Sequence, residues 1–529
     1  MDIFPHEILF SPKHKFLFCI KNDIINQKSI YPLYFFPSIK KNTIVKNYNN
    51  KKSINLYLYP NSRFLYLNKL KQKIQILNVI SPKYNKYCKC YPKTIFFKNK
   101  NNQTLYNQLL KNNTITKINI TDKKYMVYSY ITSSYKIHAV SILQLLKENN
   151  ISSINDFYGP NLLYSEIDYE TSKELISNLN KYALFRGTLK GNNISPKNYA
   201  YYLYLQMKKK FPNDFNYMIE SYFMPNEMNI IKEKFKNYKQ TKNNLWLCKL
   251  ATGSLGKGIY FIKNYTDSLR CNGIITKYIH NAHLFNNRKY HLRLYLVITS
   301  IIPLKIYLYQ NGQIVKASHN FTLDLNKIDD IQSYITNNYV NKNKDGYVND
   351  SSILELKELI NKEGGNFDKI WDEIKDISIK LILTNYENEY NEMKLFNLNN
   401  GIIFRYYGLD IMIDKNYKPW LLEANKFPYM NLYDEVNKNN KLEFTQSLLN
   451  LLGFVSYNHI NGKILEKDIK CKFKNKIDEM INNAFCEFNR DFGNVKRIFP
   501  IKSNLEYYKK FIKEAGEENI ALWNAIQNF

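Results

Sequence analysis

The stretch GLDIMIDKNYKPWLLEAN, residues 408–425, sets Asp410, Asp414, Glu423 and Asn425 among large apolar side chains. Alternating runs on either side of Lys-Asn-Tyr-Lys-Pro predict a β-hairpin. In a strand, every second side chain shares a face. Asp410 and Met412 therefore oppose Leu409, Ile411 and Ile413, while Leu421, Glu423 and Asn425 oppose Trp420, Leu422 and Ala424. A turn centred between Asn416 and Tyr417 sets Asp410 directly across from Glu423. Opposed carboxylates repel unless a cation lies between them. Two carboxylates and an amide oxygen form a hard, oxygen-rich set suited to Mg²⁺, with nucleotide phosphates completing the shell. The competing reading is a hydrated face with no ligand. Asp414 falls at the turn and is read as a turn-forming residue.

A second chemistry-bearing stretch, KLATGSLGKG, runs from Lys249 to Gly258. Gly253, Gly256 and Gly258 would let the backbone fold tightly and turn its N–H groups towards phosphates. It is not a Walker A loop, because Ala251 stands where the first glycine belongs and Gly258 where Ser or Thr is needed. The spacing is not the dinucleotide fingerprint either. Alone, the loop reads equally well as a glycine-rich hairpin turn. Lys249, on the preceding strand, argues for phosphate, since burying an ammonium without a partner is costly.

Around these stretches, NLWLCKL, IYFIK, GIITKYI, RKYHLRLYLVITS and PLKIYLYQNG read as strands. TSKELISNLNKY, SPKNYAYYLYLQMKKKF and the segment up to about residue 385 carry helical spacing. FTQSLLNLLGF, KIDEMINNAFCEF and NLEYYKKFIKEAG read as helices after residue 440. Strands among helices without regular βαβ alternation indicate an α+β chain with mostly antiparallel sheets.

The length of 529 residues allows two to four domains. The net charge is +30, and residues 1–150 hold 25 Lys and Arg against 5 Asp and Glu. Such a field attracts polyanions, although the abundance of Lys, Asn, Ile and Tyr also matches an AT-rich coding bias. The Tyr and Phe of this region alternate as core strands do, so nucleic acid is not the expected partner. Apolar runs are too short to cross a bilayer, and MDIFPHEILFSPKHKF lacks a secretory pattern. No membrane partner is expected, and the expected location is cytoplasm or cytoskeleton, cilium or flagellum included. Seven scattered cysteines argue against a disulfide framework, and Cys88 and Cys90 are read as free thiols.

The strand, lysine and glycine loop, then ITKYI, RKYHLRLYLV, PLKIYLYQNG, ITNNYV and GLDIMIDKNYKPWLLEAN, follow one another in a telling order. Over roughly residues 185–455 they resemble the tubulin tyrosine ligase-like family of ATP-grasp ligases. The resemblance implies an α+β fold with an ATP-grasp-type catalytic core at 246–455. Before it lie a basic β-rich region at 1–150 and a linking part at 151–245, and after it a helical extension at 456–529. It implies that Lys249, and Lys197 before it, contact ATP phosphates, and that Lys277, Tyr278 and Ile279 line the adenine site. Lys289 and Arg293 match a basic motif, and Thr336 and Asn337 the end of a His-Leu-Thr-Asn motif. Asp410, Glu423 and Asn425 match the Mg²⁺ ligands. Thr276 replaces a Gln and Tyr334 a His. His291 stands where the family has Asp, close to the incoming amino acid. Lys316 stands one position late for an Arg that follows Gly312, keeping the charge without the bidentate fork.

The implied activity is ATP-dependent ligation of a free amino acid, glutamate first, to a carboxylate of an acidic tubulin tail through an acyl phosphate. Lys249, Arg293 and Lys316 would stabilise the transferring group. Tyrosination and glycylation are the alternatives, as is a microtubule-binding pseudoenzyme, which His291 favours.

Overall fold

The computed structural model describes four strands before residue 74, at 6–10, 17–21, 43–46 and 53–56. Beyond them it describes residues 74–101, 103–131, 136, 138–153, 160–164, 182–187, 194–250, 258–328, 330–336, 341, 351–395, 403–432, 435–459, 463–464, 472–490 and 493–529. The chain forms two compact units, Met1–Lys71 and Gln72–Phe529. In the first, His6–Phe10 pairs antiparallel with Leu17–Lys21, and Thr43–Lys46 with Ser53–Leu56. The predicted helix TSKELISNLNKY lies almost wholly outside the described residues.

The second unit is built on a sheet of eleven described strands. Its centre is the 14-residue strand Arg288–Ile301, antiparallel to Leu304–Tyr309 on one side and to Ile403–Ile413 on the other. Leu292, Leu294, Leu296 and Ile298 alternate onto one face. There they join Leu409, Ile411 and Ile413 against Ile370, Ile374, Ile377 and Leu381 of the helix Phe367–Leu383. On the opposite face Tyr295 stacks on Phe444 of the helix Glu435–Leu452, ring centroids 4.3 Å apart. Covered on both faces, the two strands read as nearly continuous apolar runs.

Antiparallel pairing dominates, as expected, but one flank of the sheet is parallel. Leu184–Arg186, Leu162–Tyr164, Tyr128–Ile131 and Ser152–Ser153 continue the sheet beyond Ile403–Ile413. The helix Val140–Glu148 supplies the crossover that a parallel pair requires. Strands of two to four residues are too short to leave a periodic signal, so this flank is not visible in the sequence. A smaller antiparallel sheet follows the order Ser221–Phe223, Gly273–Lys277, Trp246–Leu250, Tyr260–Phe261.

Two expectations are corrected. Cys88 is bonded to Cys486 and Cys248 to Cys271, and Cys90 is also in a disulfide. The first pair is 398 residues apart, and no local spacing encodes such a partner. The single helix read over NLEYYKKFIKEAG ends at Lys509. A new helix begins at Glu517, with Gly516 at its N-cap at φ 75°, a backbone conformation that favours glycine.

The C-terminal segment is tied into the main sheet. Val495–Phe499 pairs with Leu304–Tyr309. Glu487 accepts hydrogen bonds from Lys305, Thr299 and Tyr307. A second buried ion pair, Arg405 Nη1 to Glu389 Oε1 at 2.7 Å, fixes the helix Tyr386–Leu395 beneath the strand that carries Asp410.

Removing one partner of such a pair strands a buried charge. Glu389→Ala is expected to destabilise the chain by about 3–5 kcal/mol in denaturant unfolding. Glu389→Leu combined with Arg405→Met should fall closer to wild type than the single variant. A loss below about 1 kcal/mol for Glu389→Ala would count against the pair's role.

Candidate active site

The hairpin pairs Ile403–Ile413 with Pro419–Asn425, and Asp410 lies directly opposite Glu423, as the sequence predicts. The route to that register differs from the expected one. Near the turn, Ile413 faces Pro419, Met412 faces Trp420 and Ile411 faces Leu421, which centres the turn on Asn416. Strict alternation from there would set Asp410 against Leu422 and turn Glu423 onto the core face. A β-bulge between the Asp410 and Ile411 pairs absorbs the extra residue. It returns Glu423 and Asn425 to the side of Asp410. The grouping of Leu421 with Glu423 and Asn425 is therefore corrected: Leu421 packs with Ala424, Leu409 and Ile411 in the core. Trp420 and Leu422 pack with Met412, Ile279 and Ala282.

Asp414 is the turn residue the sequence suggested. Its Oδ1 accepts from the N–H of Asn416 at 2.9 Å and of Lys418 at 3.0 Å, and its Oδ2 from Trp420 Nε1 at 2.9 Å. Three donors hold the tip rigid, with Tyr417 in the left-handed region at φ 63°.

Cations surround the two carboxylates. Arg293, register partner of Asp410 across the long strand, grips it bidentately, Nε to Oδ1 at 2.5 Å and Nη2 to Oδ2 at 3.0 Å. Lys197, first residue of the helix Lys197–Lys210, lies 2.9 Å from Glu423 Oε2. Asn425 Nδ2 donates to Glu423 Oε1 at 3.1 Å and reaches Asp410 Oδ2 at 3.4 Å. Burial alone would raise the Glu423 carboxyl. The Lys197 ammonium, the Asn425 amide and Lys249 outweigh it and hold the carboxyl well below the usual carboxylate range. Burial would weaken Arg293, but Asp410 holds it firmly protonated.

Lys249 lies near the end of its strand, Trp246–Leu250, in the smaller sheet and lines a cavity with Lys197, Thr276, Leu422 and Glu423. Burial pushes its ammonium below the ordinary lysine range, and Glu423 only partly restores it. Lys289 is 1% exposed. Its Nζ donates to Ile279 O at 2.8 Å and sits 3.4 Å from the centre of the Tyr278 ring. Burial, and then repulsion from Lys249, drive it well below its usual value. Tyr278 is buried, its hydroxyl donating to Tyr334 O at 3.1 Å. Lys277 is exposed at the end of its strand.

His291 shares the face of Arg293. Its Nδ1 is 2.7 Å from Thr336 Oγ1 and its Nε2 is 3.7 Å from Asp410 Oδ1. Burial lowers its pKa. Lys316 stands apart from this cluster. Its register partner is Tyr290, on the other face of the strand, and its Nζ donates to Ser351 Oγ at 2.8 Å. Gly258 has φ 71°, and a Cβ there would come within 2.5 Å of the Leu250 side chain, so both backbone and space call for glycine. Gly253, Gly256 and Asn337 lie outside the described residues.

The structure thus brings together Lys197, Lys249, His291, Arg293, Thr336, Asp410, Glu423 and Asn425, with Lys289 joined through Ile279 and Tyr278. The Arg293–Asp410 pairing has no local sequence signal, because 117 residues separate the two. The bulge has a faint one, the adjacent apolar pair Leu421 and Leu422 in an otherwise alternating strand.

Residues 178–461 match the tubulin-tyrosine ligase family. The chain is 27% identical over 262 residues to "Tubulin monoglutamylase TTLL4" of Mus musculus, covering 47% of this chain and 22% of that protein. It is 24% identical over 360 residues to "Probable beta-tubulin polyglutamylase" of Tetrahymena thermophila, covering 62% and 30%. To "Tubulin polyglutamylase TTLL6" of Mus musculus it is 23% identical over 372 residues, covering 66% and 45%. The chain therefore spans less than half the length of these curated relatives.

Depressed lysines carry a signed prediction. A polyphosphate placed beside Lys249 and Lys289 raises their pKa values back, so binding must take up protons at alkaline pH. Calorimetry of ATP binding near pH 9 in buffers of different ionisation enthalpy is expected to show net uptake, reduced in Lys289→Met. Affinity should fall as pH rises. Proton release on binding would contradict the assignment of Lys249 to the phosphates and of Lys289 to the nucleotide.

Proposed function

From membership of the tubulin-tyrosine ligase family, to which the chain belongs by a match over more than half its length, we propose that it is an ATP-dependent carboxylate–amine ligase joining glutamate to a carboxylate of a tubulin tail. The observation that carries this reading is the register pair Asp410 and Glu423, flanked by Asn425 and surrounded by Lys197, Lys249 and Arg293. The names of the relatives favour glutamate over tyrosine or glycine.

The donor set fits Mg²⁺. Glu423 is held ionised, Asp410 lies beside it and Asn425 brings an amide oxygen. Among the described residues there is no group of three or more His, Cys, Asp and Glu that could hold a metal ion by itself. That suits an ion whose remaining ligands are phosphate oxygens and water. Bound by Asp410, Glu423 and Asn425, Mg²⁺ would supply positive charge against the phosphate oxygens.

The chain's own residues do the rest. Lys249 and Lys197 meet the phosphates, and Lys289, fixed on Ile279 O and the Tyr278 ring, closes the nucleotide end. An acceptor carboxylate oxygen attacks the γ-phosphorus, ADP leaves, and an acyl phosphate forms. The amine of free glutamate then attacks the acyl carbon, loses a proton and expels phosphate, which leaves an amide. Arg293 has three donors beyond the two spent on Asp410, and they face the charge that develops on the transferring group. The positive charge, densest in residues 1–150, steers an acidic tail by its field rather than by specific contacts.

A second reading, an ATP-binding pseudoenzyme on microtubules, is favoured by His291 in place of the family's Asp. Isotope-labelled glutamate, ATP and purified tubulin separate the two. Wild-type protein is expected to label tubulin, and Asp410→Asn and Glu423→Gln each to lower incorporation by about 100-fold or more. Full activity in both variants would remove the metal assignment. ATP binding without transfer of any amino acid would establish the pseudoenzyme, and transfer of tyrosine or glycine alone would overturn the choice of glutamate.

A further inference from the structure

A second cavity, of about 540 Å³, lies between the hairpin tip at Asn416–Pro419 and the helix Phe367–Leu383. That volume falls within the roughly 300–1,000 Å³ of small-ligand sites. It shares no lining residue with the cavity beside Lys249 and Glu423. Tyr217 lines the one and Met218 the other, and Tyr217 O accepts from the N–H of Leu421 at 2.9 Å. This segment therefore separates the two.

Three charged side chains around the second cavity are unspent. Lys369, Glu373 and Lys418 line it, and among the described residues none makes a side-chain hydrogen bond or ion pair. Lys369 and Glu373 have the i, i+4 spacing at which opposite charges can meet, yet they stay apart. Lys418 rests over the Trp420 ring, 4.0 Å from its centre. Burial pushes the Glu373 carboxyl up, and Lys369 and Lys418 only partly offset it. Burial likewise lowers the Lys418 ammonium. Asp376, the other acid of the lining, is already engaged. Lys380 donates to its Oδ2 at 2.7 Å and Tyr508 to its Oδ1 at 2.8 Å. Tyr217, 2% exposed, adds a hydroxyl with no hydrogen-bond partner, which is rare for a buried polar group.

We propose that this cavity binds a free α-amino dicarboxylic acid, glutamate above all, at a site separate from the active site. Two cations and one available carboxylate mirror the two carboxylates and one ammonium of such a ligand. Lys369 and Lys418 receive the carboxylates and Glu373 the ammonium, each through a charge-assisted hydrogen bond. Asn216, Asn366 and Asn416, exposed around the cavity, add neutral donors and acceptors. A glutamyl residue within a peptide fits less well, because its nitrogen is an uncharged amide and leaves Glu373 unpaired. A polyphosphate is opposed by the same carboxylate. The assignment rests on these charges and not on the ligase reading, although both name glutamate. Bound here, the amino acid ties the helix to the tip of the hairpin that carries Asp410 and Glu423.

Calorimetry on the full chain, without ATP or metal, is expected to show saturable glutamate binding at or below about 1 mM. Glutamine lacks one carboxylate and N-acetylglutamate lacks the ammonium, and each should bind about ten-fold or more weakly. Glu373→Gln should bring glutamate and N-acetylglutamate within about two-fold of each other, and Lys418→Met should do the same for glutamate and glutamine. Such changes of selectivity are not produced by a general loss of structure, and melting curves establish that each variant folds. Asp410→Asn should bind glutamate like wild type. Titration should alter Trp420 emission as Lys418 turns from the ring to the ligand, and Trp420→Phe should remove that change. No saturable binding up to about 10 mM, or selectivity unchanged in both folded variants, overturns the proposal. Binding lost in Asp410→Asn but kept in Glu373→Gln also overturns it, by placing the ligand at the active site. Binding here without transfer to tubulin leaves this site standing and removes the ligase reading; transfer without binding here does the reverse.

Discussion

Two carboxylates held side by side on neighbouring strands repel each other, and much of the site is arranged to contain that repulsion. Asp410 is gripped by Arg293 from one side, and Glu423 by Lys197 from the other. Asn425 spans the gap between them. These are charge-assisted contacts on partly buried groups, where breaking one leaves a costly unpaired charge. Glu423 thus stays ionised, and both carboxylates are held in place before any ligand arrives. Lys249 and Lys289 form the complementary half. They are cations that burial disfavours, in a place where a polyanion would restore them.

Rigidity of the scaffold makes this containment possible. The strands that bear Arg293 and Asp410 are buried on both faces, between the helix Phe367–Leu383 and the helix Glu435–Leu452. The hairpin tip is locked by the three hydrogen bonds to Asp414. A one-residue bulge then aims Glu423. Without that residue's displacement the second carboxylate would face the core, where it would have no cation.

Much of this was legible in the sequence because it is local. Alternation in GLDIMID and in the following strand identifies the hairpin, Asp414 its turn, and the opposition of Asp410 to Glu423 follows from counting. The count succeeds through two compensating shifts, a turn centred half a residue earlier and a bulge that restores the pairing. The rest depends on contacts between distant parts of the chain. Arg293 meets Asp410, Cys88 meets Cys486 and Glu487 meets Lys305 across separations that no periodicity records. The parallel flank is built from strands too short to announce themselves. Lys316 illustrates the converse difficulty: the resemblance gave it a role alongside Arg293, whereas strand register sets it opposite Tyr290, on the other face.

The two margins of the main sheet carry a consequence of another kind. The family match spans residues 178–461. Tyr128–Ile131, Ser152–Ser153 and Leu162–Tyr164 come from before it, and Val495–Phe499 from after it. The acid that neutralises buried Lys305 also lies outside, at Glu487. Excision of the matched segment would therefore expose unpaired edges on both sides and strand an ammonium in the interior. In this chain the matched segment is smaller than the unit of folding, and the strands on its flanks complete the scaffold on which it stands.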